Sequence, residues 1–295
     1  MTIFQKMMYV VLSISVACAI GVANYIYLPA GQRIPEDKQM TDYLDTYYSA
    51  NDTVLKQLFP YEEINYRLTV PENMSYTTAD FQQFEGTYLT ERESADSDYL
   101  KHICFCGDSI TYHMTLKDRV LADCDVLAWG GLMVSDFAKY TDNPVYNQSS
   151  EKKTSIYWIE QLQPEIIYIM LGTNGISLIS NERHIEQYKT LLDKITEASP
   201  SSIIVLVSSP PWGEIAYGKY TNSDISALNQ KINHFNMYLL QLAKERGYYY
   251  LNVAEVLMDE MGNLRDSYTN DGIHWSNSAR DAYAAYVLSH PIPGY

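Results

Sequence analysis

Cys104-Phe105-Cys106-Gly107-Asp108-Ser109-Ile110 is a short apolar run stopped by a glycine turn that presents a serine. A run this apolar suits a strand covered on both faces. Similar runs recur at Val126–Ala128, Ile166–Leu171, Ile203–Val207 and Tyr248–Val253, with helical patterns at Ile185–Glu197 and Leu228–Arg246 between them. Strands alternating with helices imply a parallel sheet with crossover helices. In such sheets the ligand site lies outside the carboxyl ends of the strands. Ser109 follows the first strand directly, and Gly172-Thr173-Asn174 follows the third, so both fall where the architecture places chemistry.

Near the other end stands Asp271-Gly272-Ile273-His274, a carboxylate three residues before a histidine. A serine hydroxyl is a poor nucleophile until a base takes its proton, and that base needs a third group to hold its tautomer. One short turn can hold Asp271 and His274 together. Each piece is ambiguous alone. Asp108 and Ser109 are ordinary turn and helix-capping residues, with Thr111–Leu121 readable as the helix that follows. Asn270-Asp271-Gly272 is a strong turn signal, and so is Gly172-Thr173-Asn174. The amide of Asn174 and the backbone around Trp129-Gly130-Gly131 are candidate hydrogen-bond donors for a developing oxyanion.

Together and in this order, the four segments resemble the SGNH (GDSL-type) hydrolase family over roughly residues 100–290. The resemblance implies an α/β fold, a flavodoxin-like three-layer sandwich with a mainly parallel five-stranded sheet. It implies Ser109 as nucleophile, His274 as base and Asp271 as its orienting partner. The oxyanion hole would consist of Ser109 N–H, Gly131 and Asn174, with Gly130 as the alternative to Gly131. One departure is the apolar Ala128-Trp129 where the family has a polar residue before the glycine. The implied reaction is acyl transfer from an ester to water, with no cofactor and no metal.

Residues Met7 to Leu28 carry no charge between Lys6 and Pro29. At about 1.5 Å per residue, a helix of that length spans a hydrocarbon core of about 30 Å. The reading favours an uncleaved single-pass anchor over cleavage near Ala17-Cys18-Ala19 or lipidation of Cys18. The short tail 1–6 then lies inside and the domain outside the cell, although Lys6 against Arg33 and Lys38 gives almost no positive-inside bias. The expected organisation is tail 1–6, transmembrane anchor 7–28, linker, stalk or cap 29–100, and hydrolase domain 101–295. Asp42 to Phe59 has helical spacing.

The net charge is −15 with a pI near 4.7 and no basic cluster, which excludes the counterion-release binding that nucleic acids require. Four cysteines show no metal or disulfide spacing and read as buried thiols. The five other histidines read as structural, with His113 near enough to Ser109 to line a pocket. Trp275 is either pocket wall or core. An anchored domain outside the cell suggests an O-acyl, chiefly O-acetyl, ester on a surface polysaccharide or peptidoglycan as substrate. The alternatives are a lysophospholipase or thioesterase, and a non-catalytic scaffold for wall-polymer assembly.

Overall fold

The computed structural model describes residues 83–116 and 119–295. The expected tail and anchor, residues 29–82 of the linker, stalk or cap segment and the helical pattern at 42–59 lie outside the described residues. Among the described residues, no helix is long and apolar enough to cross a membrane.

Five strands form one sheet: β1 (Ile103–Gly107), β2 (Asp125–Ala128), β3 (Ile166–Met170), β4 (Ile203–Val207) and β5 (Tyr249–Leu251). Their order is β2-β1-β3-β4-β5 and every pairing is parallel. β1 and β3 are buried along their whole length, which is why their sequences show no polar alternation. Fully burying each such side chain contributes about 1.5–3 kcal/mol, so the central strands carry much of the domain's stability.

The helices are α1 (Ser109–His113), α2 (Val134–Phe137), α3 (Ser155–Leu162), α4 (Asn181–Ala198), α5 (Ile225–Arg246), α6 (Ala254–Leu257) and α7 (Asn277–Ser289). α4 packs against α2, α3 and α5, whereas α7 packs against α6 and the 3-10 turn Ser97–His102. Phe105 meets Tyr283 of α7 edge-on at 6.4 Å. Its neighbour Cys106, pointing the other way by strand alternation, lies near Tyr188 of α4. The two helix groups therefore cover opposite faces, and the three layers follow.

Three local readings change. The helix after Ser109 stops at His113 instead of continuing to Leu121: Met114 N–H donates to the Thr111 carbonyl and Thr115 N–H to the Tyr112 carbonyl, i→i−3 bonds that close the last turn. A chain reversal, closed by Leu121 N–H donating to the Met114 carbonyl at 3.0 Å, brings Met114 and Leu121 to the core. Two helices without a clear sequence signal, α3 and α7, are present. Finally, of the stalk and cap readings left open for the segment before residue 101, residues 84–100 take the packed one. Phe84, Tyr88, Leu89, Tyr99 and Leu100 are buried, and the Tyr88 segment pairs with Tyr250 at the β5 edge.

Cys104, Cys106 and Cys124 are free and buried. Contact with Cys106 and burial push the Cys104 thiol well above its ordinary range. These are inert core residues. Asn147, which opens the glycosylation-type triplet Asn147-Gln148-Ser149, has a structural use: its Oδ1 accepts from Val126 N–H at 2.9 Å and its Nδ2 donates to the Cys124 carbonyl at 3.0 Å.

Candidate active site

The β1 ends of the neighbouring strands are level, with Gly107 in register with Ala128 of β2 and Met170 of β3. Chain direction diverges here, since β2 lies on one side of β1 and β3 on the other. That is the switch point at which open parallel sheets hold ligands. The loops leaving these three strands carry Ser109, Gly131 and Asn174.

Gly107 permits the turn into α1, because a Cβ there would lie 2.0 Å from Thr111 Oγ1. Asp108 caps α1, accepting from Ile110 N–H at 3.0 Å. Ser109 is the first residue of α1, so its N–H lies outside the i→i−4 ladder.

Burial raises the Asp108 carboxyl to about 7, against the opposing pull of Ile110 N–H and of nearby His274. Because the folded value lies above the unfolded one, the folded chain holds a proton that the unfolded chain releases between about pH 4 and 7. This contribution therefore weakens folding as pH rises through that window and is constant above it. In Asp108→Asn the amide oxygen keeps the Ile110 cap. Urea titrations should show the variant gaining stability over the parent by an amount that grows from pH 4.5 to pH 7, on the order of 3 kcal/mol. An unchanged difference across that range would count against a buried, proton-holding Asp108.

Asp271 and His274 occupy a turn braced by Thr269. Its Oγ1 accepts from Gly272 N–H at 2.8 Å and from Asp271 N–H at 3.2 Å, and donates to the His274 carbonyl at 2.9 Å. Asp271 Oδ1 accepts from Ile273 N–H at 3.0 Å and His274 N–H at 2.8 Å. Oδ2 lies 2.8 Å from His274 Nδ1. Burial pushes this carboxyl upward, but the bonds from the His274 ring, the two backbone N–H groups and Tyr220 outweigh it and hold it far below the ordinary range. Asp271 is thus a carboxylate under all ordinary conditions.

On its other side the His274 ring reaches the serine, with Nε2 3.1 Å from Ser109 Oγ. An ionised carboxylate at Nδ1 sets the tautomer that leaves Nε2 as the acceptor of a serine proton. Residues 165 positions apart meet in one hydrogen-bonded line.

Asn174 Nδ2 donates to the Leu132 carbonyl at 3.0 Å, tying the Gly172-Thr173-Asn174 turn to the Gly130-Gly131-Leu132 turn. Gly172 must be glycine, with φ of 139° and a hypothetical Cβ 2.8 Å from the Phe235 ring. Gly131 has φ of 74° with open space around it, whereas Gly130 takes no left-handed conformation. The backbone reversal therefore belongs to Gly131.

The chain belongs to the GDSL-like lipase/acylhydrolase family. The family's model matches residues 105–281, which contain the serine turn, the Asn174 turn and the Asp271–His274 pair. No curated protein matches the chain. Among solved structures, it is similar to a Streptococcus pneumonia protein provisionally described as a platelet activating factor. That pair is 21% identical, with 63% of this chain and 81% of the other covered and a TM-score of 0.50, which is a likeness of fold. It is also similar to a GDSL-like lipase from Bacteroides thetaiotaomicron, at 17% identity, 66% and 88% coverage and a TM-score of 0.48. A family 3 carbohydrate esterase from Talaromyces cellulolyticus is 17% identical, with 63% and 93% coverage and a TM-score of 0.39.

This family member has site neighbours that its motifs do not announce. His113, in α1, stands 5.2 Å from the His274 ring by centroids, and burial followed by the charges of His274 and Arg280 lowers its basicity. Its nearness to Ser109 in sequence was the available signal. Tyr112 meets Trp129 at 4.9 Å, an aromatic pair linking the serine helix to the loop that carries Gly131. Tyr220 reaches Asp271 from 51 residues away, with no sequence signal. Trp275 is core: it is buried and packs on Tyr283 at 5.4 Å. His102, His184 and His290 stand away from this cluster, and His184 is stacked on Phe235 at 4.7 Å, fully buried. Among the described residues, no cluster of metal-ligating side chains is present.

Proposed function

We propose that this family member is a serine esterase that removes an O-acyl group, chiefly acetyl, from a carbohydrate at the cell surface. The observation that carries the serine chemistry is the line Ser109 Oγ–His274 Nε2 at 3.1 Å and His274 Nδ1–Asp271 Oδ2 at 2.8 Å. In the proposed reaction, His274 Nε2 takes the Ser109 proton as Oγ bonds to the ester carbonyl carbon. The imidazolium, paired with Asp271, then protonates the departing alcohol oxygen, leaving an acyl-serine. Water, deprotonated by His274, releases the acid and restores Ser109.

The oxyanion of each tetrahedral intermediate is assigned to Ser109 N–H, Gly131 N–H and the Asn174 amide. The bond from Asn174 to Leu132 supports this assignment, because one amide proton fixes the side chain and leaves the other to donate. Asn174→Ala should lower kcat by about 100- to 1000-fold. Steady-state kinetics at saturating ester would measure it, and a parent-like kcat would remove Asn174 from the hole.

Carbohydrate as acceptor and the external location rest on the sequence reading of residues 7–28. The test is fluorophosphonate labelling of the full-length chain, with Ser109→Ala as control, followed by turnover of acetyl and long-chain acyl esters. Labelling at Ser109 with faster acetyl release supports the proposal. Faster long-chain release would transfer the activity to lipid esters. Folded protein that neither labels nor turns over any ester would leave the scaffold role.

A further inference from the structure

The carboxylate of Asp271 has about four lone-pair directions, and three are filled by nitrogen groups of its own turn, Ile273 N–H, His274 N–H and His274 Nδ1, while the Thr269 hydroxyl, 3.4 Å from Oδ1, has its closer acceptor in the His274 carbonyl at 2.9 Å. The fourth partner comes from elsewhere. Tyr220 Oη donates to Oδ2 at 2.9 Å, the same oxygen that faces the imidazole. Its ring stands edge-on to His274, 6.1 Å between centroids at 73°.

The tyrosine is delivered by a built segment. After β4, Gly213 N–H donates to the Gly272 carbonyl at 2.8 Å, and Ala216 packs directly on Gly272. Tyr220 N–H donates to the Ala216 carbonyl at 2.9 Å, and Gly218 N–H donates to the Thr221 carbonyl at 2.7 Å, closing the turn that aims the phenol. Asn229 and Asn236 of α5 hold the start of this segment through the backbones of Trp212 and Ser209.

We propose that Tyr220 is a positioning residue of the active site, acting through Asp271: its hydroxyl fixes the carboxylate against the imidazole and tempers the carboxylate's basicity. This rests on the serine esterase reading above. Burial and the bond to Asp271 raise the phenol above its ordinary range, so it remains a donor across neutral pH. The other titratable or charged groups facing this pair are His113 of α1, Asp108 at the end of β1, Arg280 acting through His113, and Lys219, whose Nζ is 5.5 Å over the Tyr220 ring.

Tyr220→Phe keeps the ring and removes only the hydrogen bond. With one charge-assisted bond lost, kcat should fall about three- to tenfold at unchanged KM. A carboxylate freed of that donor holds the imidazolium more strongly, so the acid limb of the kcat/KM profile should move to higher pH. The low-field proton resonance of the Nδ1–H···Asp271 bond should shift in the same variant. Tyr217→Phe, an exposed change on the same segment, should alter none of these. The idea is overturned if Tyr220→Phe matches the parent in kcat, pH profile and proton resonance, or if only KM changes, which would make Tyr220 a substrate contact. Fluorophosphonate labelling of the parent separates the two claims, since a parent that does not label defeats the esterase reading, and a labelled parent with an unaltered variant defeats only Tyr220.

Discussion

Asp271→Asn should lower kcat by about 10,000-fold while the domain stays folded. The reason lies in the donor count at this residue. Asp271 accepts from Ile273 N–H and His274 N–H with one oxygen and faces His274 Nδ1 and the Tyr220 hydroxyl with the other. An asparagine has one oxygen for these donors. If the oxygen stays on the two backbone N–H groups, the amide NH₂ faces Nδ1 and imposes the opposite tautomer. Nε2 then carries a proton and cannot take one from Ser109. If the amide flips, its NH₂ faces two backbone donors and the turn loses its brace. Either orientation disables the base.

Stability offers a second reading of the same variant. The Asp271 carboxyl is held below its ordinary range in the folded chain, so its contribution to stability is present above about pH 4 and is lost as pH falls. The parent's stability advantage over Asp271→Asn should therefore shrink in acid. Single-turnover kinetics and urea titrations at two pH values measure the two effects separately. Near-parent turnover would show that His274 is oriented by something other than Asp271.

Gly272→Ala should cost about 3–6 kcal/mol of stability, combining left-handed strain, overlap and a lost hydrogen bond. Gly272 has φ of 89°, and a Cβ there would lie 2.4 Å from Ala216 N, an overlap with backbone that no rotamer relieves. The turn or the 213–221 segment must shift, and the bond from Gly213 N–H to the Gly272 carbonyl shifts with it. Since Tyr220 hangs from that segment, activity should fall together with the thermal midpoint. Gly131→Ala is the control. Its φ is 74° but its surroundings are open, so it should lose only about 1–2 kcal/mol. Equal losses in both variants would show that conformational strain alone, without the Ala216 contact, accounts for Gly272.

Much of this domain can be read before folding because its strong signals are local. Ile103–Cys106, Ile166–Leu171 and Ile203–Val207 are apolar without alternation because helices cover both faces, and all three form strands within a residue of the expected limits. The serine turn and the Asp271–His274 turn were readable for the same reason. A glycine at a strand end and a carboxylate three residues from a histidine are constraints met within a few residues.

Other features depend on distant partners. The end of α1 at His113 has no signal in the spacing, since Met114 and Leu121 would share one face of a longer helix, and shows only in the bond from Leu121 N–H to the Met114 carbonyl. The pattern of residues 84–100 left stalk and cap open, and the buried Phe84, Tyr88, Leu89, Tyr99 and Leu100 seat this stretch in the core. Asn147 sits in a glycosylation sequon and is used to fasten a loop to β2. Tyr220 is one of 27 tyrosines, and nothing near it in the chain distinguishes it from the rest.

The order of strands along the chain, the parallel sheet and the residue types of a serine–histidine–aspartate site follow from patterns that span a few residues each. The fold alone brings Ser109 to 3.1 Å from His274, ties Asn174 to Leu132 and adds Tyr220 to the Asp271 carboxylate. The physical reason is range. Burial periodicity and turn chemistry act between near neighbours, whereas a hydrogen bond across 51 or 165 residues exists only after the sheet has set its strand ends level.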